Sequence, residues 1–149
     1  MFTYRLTYMS VRKRNILFRQ LRFNINSHNI PELRIFYPIE NGRSEVIEAF
    51  NQLSNDDKKN IKRLIIRMAT NGQQYRSPHI KWNLTGRNFT YGEISHHPHR
   101  FFFFRYRDSL VFFGYISKKV NKLSNSIYQS FQYKKDYYEQ DFSKVIDGI

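Results

Sequence analysis

RFFFFRYRDSLVFFGYI, residues 100–116, decides how the rest of the chain reads. Aromatic and β-branched residues fill two runs, Arg100 to Tyr106 and Leu110 to Ile116. The spacer Arg107-Asp108-Ser109 has the length of a hairpin loop, so the runs are expected as adjacent antiparallel strands. Phe89 to Ile94 reads the same way, which makes a three-stranded meander. Strand alternation sends two rings of Phe101–Phe104 to each face. Most of that run reads as core, and an outward ring would be a surface on which a base can stack.

Upstream, Arg34 to Tyr37 is a short strand that Pro38 ends, as an edge strand requires, and Gly42 marks a turn. Ser44 can cap a helix with Glu45 and Glu48 at the positive end of its dipole and Val46, Phe50 and Leu53 on one stripe. Ser54 and Asp57 form a capping box for a second helix with Ile61, Leu64, Ile65 and Met68 aligned, stopped at Gly72. Downstream, Ser124 to Tyr138 carries a weaker helical pattern through Ile127 and Phe131. The expected architecture is α+β: a two-helix hairpin packed on a small antiparallel sheet, in the order βααβββα. Residues 1–33 are basic, with Glu32 as their one acid and no clean period. They read as an N-terminal arm that contacts RNA, or as an over-long start ahead of a domain spanning 34–149.

With 149 residues, 40% of them apolar and 17% aromatic, the chain suits one folded domain plus the arm. No apolar run reaches the roughly 18 residues of a membrane span. Cysteine is absent, which removes disulfides, thiolate nucleophiles and thiolate-bound zinc and makes the cytoplasm the simplest home. The net charge is +13, and residues 72–135 hold eleven Lys and Arg against Glu93 and Asp108. A field of that sign favours a polyanion such as nucleic acid over a neutral metabolite. Within it Arg76, Lys81, Arg87, Arg105 and Lys122 are candidate contacts to nucleic acid; the alternative is a solvated basic surface.

Walker loops, dinucleotide fingerprints, HExxH and paired metal-carboxylate motifs are all missing, so metal-dependent nuclease chemistry is disfavoured and no cofactor is implied. What remains is His96, His97, His99 and Arg100 before one strand and Lys118, Lys119 and Lys122 after another. Antiparallel pairing brings such strand ends together. Clustered His, Lys, Arg and Tyr can cleave RNA through its own 2′-hydroxyl: one group accepts the 2′ proton, cations stabilise the phosphorane, and another group protonates the 5′ oxygen. The plainer alternatives are a polar histidine loop and a solvated strand end. Glu93 is either a general base or the ion-pair partner of Arg100.

Tyr91-Gly92-Glu93-Ile94, then His99-Arg100-Phe101-Phe102-Phe103-Phe104, then Val111-Phe112-Phe113-Gly114-Tyr115-Ile116-Ser117-Lys118-Lys119 resemble RelE/HigB-type toxins of bacterial toxin–antitoxin modules. The resemblance is strongest to the phage-derived HigB branch of the RelE/ParE superfamily and covers about residues 34–138. It implies a RelE-like fold, an mRNA interferase that cuts messages on the ribosome and inhibits growth, and a cognate antitoxin protein as partner. By the same resemblance Arg100 stabilises the phosphate, Lys118 and Lys119 are the paired lysines after the last strand, and Glu93 is the acidic residue of the second strand. Tyr128 matches a helix tyrosine counted among the RNA contacts. His99 completes the catalytic set. Ser126 and Ser130 stand where the family has small apolar residues, and the basic arm has no counterpart there. Two alternatives share the fold: a ParE-like gyrase inhibitor and a catalytically inactive RNA-binding protein.

Overall fold

A computed structural model describes residues 15–23 and 31–148. Among these described residues are six strands: β1 (Ile16–Leu21), β2 (Arg34–Glu40), β3 (Ile80–Lys81), β4 (Gly92–His96), β5 (His99–Tyr106) and β6 (Ser109–Ser117). Three α-helices accompany them: α1 (Glu45–Asn51), α2 (Asn55–Asn71) and α3 (Asn125–Asp147). The strands make one mixed sheet in the order β1-β2-β6-β5-β4-β3. All neighbours are antiparallel except β2 and β6, which run parallel.

This corrects the expected order βααβββα and the RelE-like picture of a helical hairpin on a small antiparallel sheet. The sheet dominates, and it has two strands that the sequence pattern did not reveal. β1 lies inside the stretch read as an arm and pairs with β2 from Ile16↔Glu40 to Leu21↔Ile35. β3 has only two residues, too few to show a period. The rest of that stretch, residues 1–14 and 24–30, lies outside the described residues. Nor is β2 an edge strand: it continues through Pro38 between β1 and β6. Its ladder with β6 ends at Phe36↔Val111, so Pro38 sits where that neighbour has already been lost and no donor is needed on that side.

Local signals explain the helices. The Ser44 and Ser54 side chains accept from the N–H groups of Ile47 and Asp57, and Gly72 ends α2 at φ +68°, a conformation that favours glycine. α1 and α2 cover one sheet face, where Ile35, Ile94, Phe101, Phe103 and Phe112 meet Val46, Ile61, Leu64 and Met68. α3 covers the other, where Phe36, Phe102, Phe104 and Phe113 meet Tyr128, Phe131 and Phe142. All four rings of Phe101–Phe104 are therefore buried, and none faces outward to stack on a base. Each contributes roughly 1.5–3 kcal/mol of transfer free energy. α3 runs nine residues beyond the predicted end at Tyr138, because Phe142 packs on Phe18, Phe36 and Phe104. It sits close to the sheet: a Cβ on Gly114 would lie 2.7 Å from the Phe131 ring.

Candidate active site

Three strand ends meet at one edge of the molecule. β4 closes with His96, the turn His97-Pro98 follows, and β5 opens with His99, which lies opposite Ser117 at the end of β6. The Lys118 N–H donates to the Pro98 carbonyl at 3.0 Å, which ties the lysine pair to the histidine turn. Lys118, Lys119 and Lys122 are exposed on the loop that leads to α3.

Alternation divides this end into two unlike faces. On the α2 side, Asp57 in the first helical turn reaches the sheet, with Oδ1 3.1 Å from His96 Nε2 and Oδ2 3.2 Å from His99 Nε2. A carboxylate only accepts, so both Nε2 atoms carry their protons toward Asp57. In the neutral ring His99 Nδ1 then accepts from the Tyr115 hydroxyl at 2.7 Å, whereas in the imidazolium both ring nitrogens donate. Burial alone would raise the Asp57 carboxyl, but the Ser54 hydrogen bond and the charges and hydrogen bond of His99 and His96 together hold it below its ordinary value. His79 extends the row: its Nδ1–H donates to the Ser95 carbonyl at 2.9 Å, and its ring lies edge-on to His96 at 6.1 Å. Asp57, Tyr115 and His79 escaped sequence reasoning. Asp57 is 39 residues from His96, and its local spacing signals only a helix cap.

Tyr115 reaches this face through a β-bulge. The β5–β6 register shifts between Phe102↔Gly114 and Phe103↔Phe112, which places an extra residue in β6 and resets its alternation. Beyond the bulge, Tyr115 points to the α1 and α2 side, where its ring packs with Phe101 and lies 5.9 Å from the His99 ring. It also borders a polar cleft of about 670 Å³, with Glu45, Glu48 and Lys134 among its walls. The cleft opens where β2 and β6 separate, beyond the carboxyl ends of the parallel pair.

The opposite face is sealed. Arg100 Nη1 donates to Glu93 Oε2 at 3.0 Å and to the Tyr128 hydroxyl at 3.5 Å, while Tyr128 donates to Glu93 Oε1 at 3.0 Å. Arg100 Nη2 donates to the carbonyls of Val120 and Asn121, at 3.0 and 3.1 Å. Arg100 is 6% exposed, and Glu93 and Tyr128 are each 1% exposed. Burial, followed by the Glu93 charge, pushes the Tyr128 phenol above its ordinary value. Of the two readings of Glu93, the geometry is that of the ion pair. Arg100, adjacent to His99 in sequence, is turned away from it and committed to protein partners. Tyr128, expected among the RNA contacts, is instead covered by Arg87 at 5.0 Å and stacked on Phe89.

The remaining basic candidates are dispersed. Lys81 is exposed on the edge strand β3, and half-buried Arg87 lies over Tyr128. Arg76 and Arg105 gather around Gln73, through its carbonyl and its Oε1 respectively, at the end of β5 remote from His99. Six residues of strand separate Arg105 from the histidine turn, roughly 20 Å. An apolar cavity of about 390 Å³ lined by Leu21, Phe23, Val46, Phe50 and Ile65 lies elsewhere, between β1–β2 and the α1–α2 layer. Among the described residues no group of three or more His, Cys, Asp or Glu side chains is placed to hold a metal ion. No helix of the described residues is long and apolar enough to cross a membrane. Set beside known protein families and curated proteins, the chain matches no family model and no curated sequence.

Proposed function

We propose that the protein is a metal-independent endoribonuclease that cuts messenger RNA on the ribosome, as the toxin of a toxin–antitoxin pair. The observation that carries this reading is the Asp57–His99–Tyr115 chain, at the strand end where the backbone N–H of Lys118 meets the Pro98 carbonyl. Proton acceptor and cations then share one strand end, which is what cleavage through the 2′-hydroxyl demands. The net charge of +13 supplies the attraction to RNA, and the resemblance to RelE/HigB-type toxins supports the ribosomal message as substrate. Cytoplasmic location and an acidic antitoxin that covers positive surface follow from the same reading. Arg100, itself held by Glu93, takes a supporting part by donating to the Val120 and Asn121 carbonyls of the loop that carries Lys118, Lys119 and Lys122.

One observation favours a second reading, a noncatalytic RNA-binding protein: Arg100, the arginine the resemblance puts on the phosphate, is sealed inside the fold. Induction in bacteria followed by primer extension separates the two. New 5′ ends within translated messages are expected for the nuclease; growth arrest with intact messages would overturn it.

A further inference from the structure

We propose that Tyr115 accepts the substrate's 2′ proton and passes its own proton to His99, with Asp57 behind; this rests on the ribonuclease reading above. Three observations converge on the phenol. The bulge in β6 re-aims Tyr115 to the α2 face, its hydroxyl lies 2.7 Å from His99 Nδ1, and the residue lines the polar cleft. His99 is held from behind by Asp57 Oδ2 at 3.2 Å, so the imidazolium that forms on proton transfer has a carboxylate ready beside it. The order carboxylate, imidazole, hydroxyl is the one by which a weakly acidic O–H is activated elsewhere in protein chemistry.

A phenol is a much weaker acid than an imidazolium, so the transfers are concerted. The 2′-hydroxyl proton moves to the phenolic oxygen as the phenolic proton moves to His99 Nδ1. The 2′ oxygen bonds to phosphorus, the bond from phosphorus to the 5′ oxygen breaks, and that oxygen takes a proton from the Lys118–Lys119 pair. The products are a 2′,3′-cyclic phosphate and a 5′-hydroxyl, and the step balances without a further reactant. His96 faces the relay from β4 and shares Asp57 with it. Across the cleft the charged groups are Glu40, Arg43, Glu45, Glu48 and Lys134, with the Tyr138 hydroxyl beside them. The pairs Arg43–Glu48 and Lys134–Glu45 lie within ion-pair distance.

The test is single-turnover cleavage of a synthetic message bound to ribosomes, made with either oxygen or sulfur at the 5′ leaving position. A 5′ thiolate departs without a proton, yet the 2′ proton must still be accepted. Tyr115→Phe is expected to lose about a hundredfold or more on the oxygen substrate and to stay slow on the sulfur one. The double variant Lys118→Ala/Lys119→Ala is expected to recover on sulfur. Rescue of Tyr115→Phe by sulfur, or a wild-type rate in the folded variant, would overturn the proposal. If Tyr115→Phe fails to fold, Asp57→Asn keeps the phenol and must show the same unrescued loss, or the relay is wrong. A wild-type protein that cuts neither substrate would overturn the ribonuclease reading itself.

Discussion

His99 and Arg100 are neighbours on β5, yet strand alternation assigns them to different regions of the molecule. On the α2 face His99 is half-buried, shares Asp57 with His96 and is hydrogen-bonded to the Tyr115 hydroxyl. On the α3 face Arg100 is buried with Glu93 and Tyr128, and its two terminal nitrogens are spent on protein acceptors. Both clusters join a carboxylate, a nitrogenous base and a phenol. Access separates them: Tyr115 of the first cluster lines the polar cleft, while the second is sealed and braces a loop. A list of catalytic residue types at one strand end therefore overstates the site, because every second residue belongs to the other face.

The largest effect should fall on the sealed cluster. Removing one partner of a buried ion pair leaves an uncompensated charge, so Glu93→Ala or Arg100→Ala should cost about 3–5 kcal/mol in urea unfolding. A loss under 1 kcal/mol would mean that the pair is solvated. Tyr128→Phe takes one donor from Glu93 and should cost about 1–3 kcal/mol. On the open face the order of effects is reversed. His99→Ala should slow cleavage by about a hundredfold or more, roughly 2.7 kcal/mol in the barrier, with a smaller stability change than Glu93→Ala.

Acid should distinguish the faces further. The Asp57 carboxyl is lowered in the fold, so its contribution to stability is complete above the unfolded carboxylate value near 4 and is lost as pH falls through the lower folded value. The difference in melting temperature between wild type and Asp57→Asn should shrink as pH falls below about 4. An unchanged difference down to pH 2.5 would remove that linkage. The smallest stability effect belongs to the exposed lysines. Lys118→Ala/Lys119→Ala should stay within about 0.5 kcal/mol of wild type. Its RNA affinity should depend less steeply on salt, the logarithmic slope falling by about 0.7 per lysine that contacts a phosphate.

Helix caps were legible because they are local. Ser44, Ser54 and Gly72 act within a few residues of themselves, and α1 and α2 begin and end where those signals stand. β1 was not legible, since Ile16–Leu21 takes its shape from pairing with β2 and its Arg19 and Gln20 blur the alternation. The tail of α3 was missed for a related reason. Phe142 is buried among aromatic rings from three strands, and the polar run before it hides that anchor. In the site, the meeting of the histidine turn with Lys118 followed from antiparallel pairing. The Tyr115 orientation did not, because the bulge that sets it leaves no mark in the local pattern. Asp57 shows how a residue can carry two roles: its backbone N–H belongs to the helix cap while its carboxylate belongs to the histidines.

The division of labour between the two faces is tested most directly by comparing His99→Gln with the apolar replacement Glu93→Leu/Arg100→Met in single-turnover cleavage of ribosome-bound message, each variant checked by thermal melting. Replacing both members of a buried pair spares the fold the cost of a lone charge. The expected result is a loss of about a hundredfold or more for His99→Gln and no more than about tenfold for the double variant. A folded double variant that is inactive beside an active His99→Gln would contradict the account and return the chemistry to Arg100.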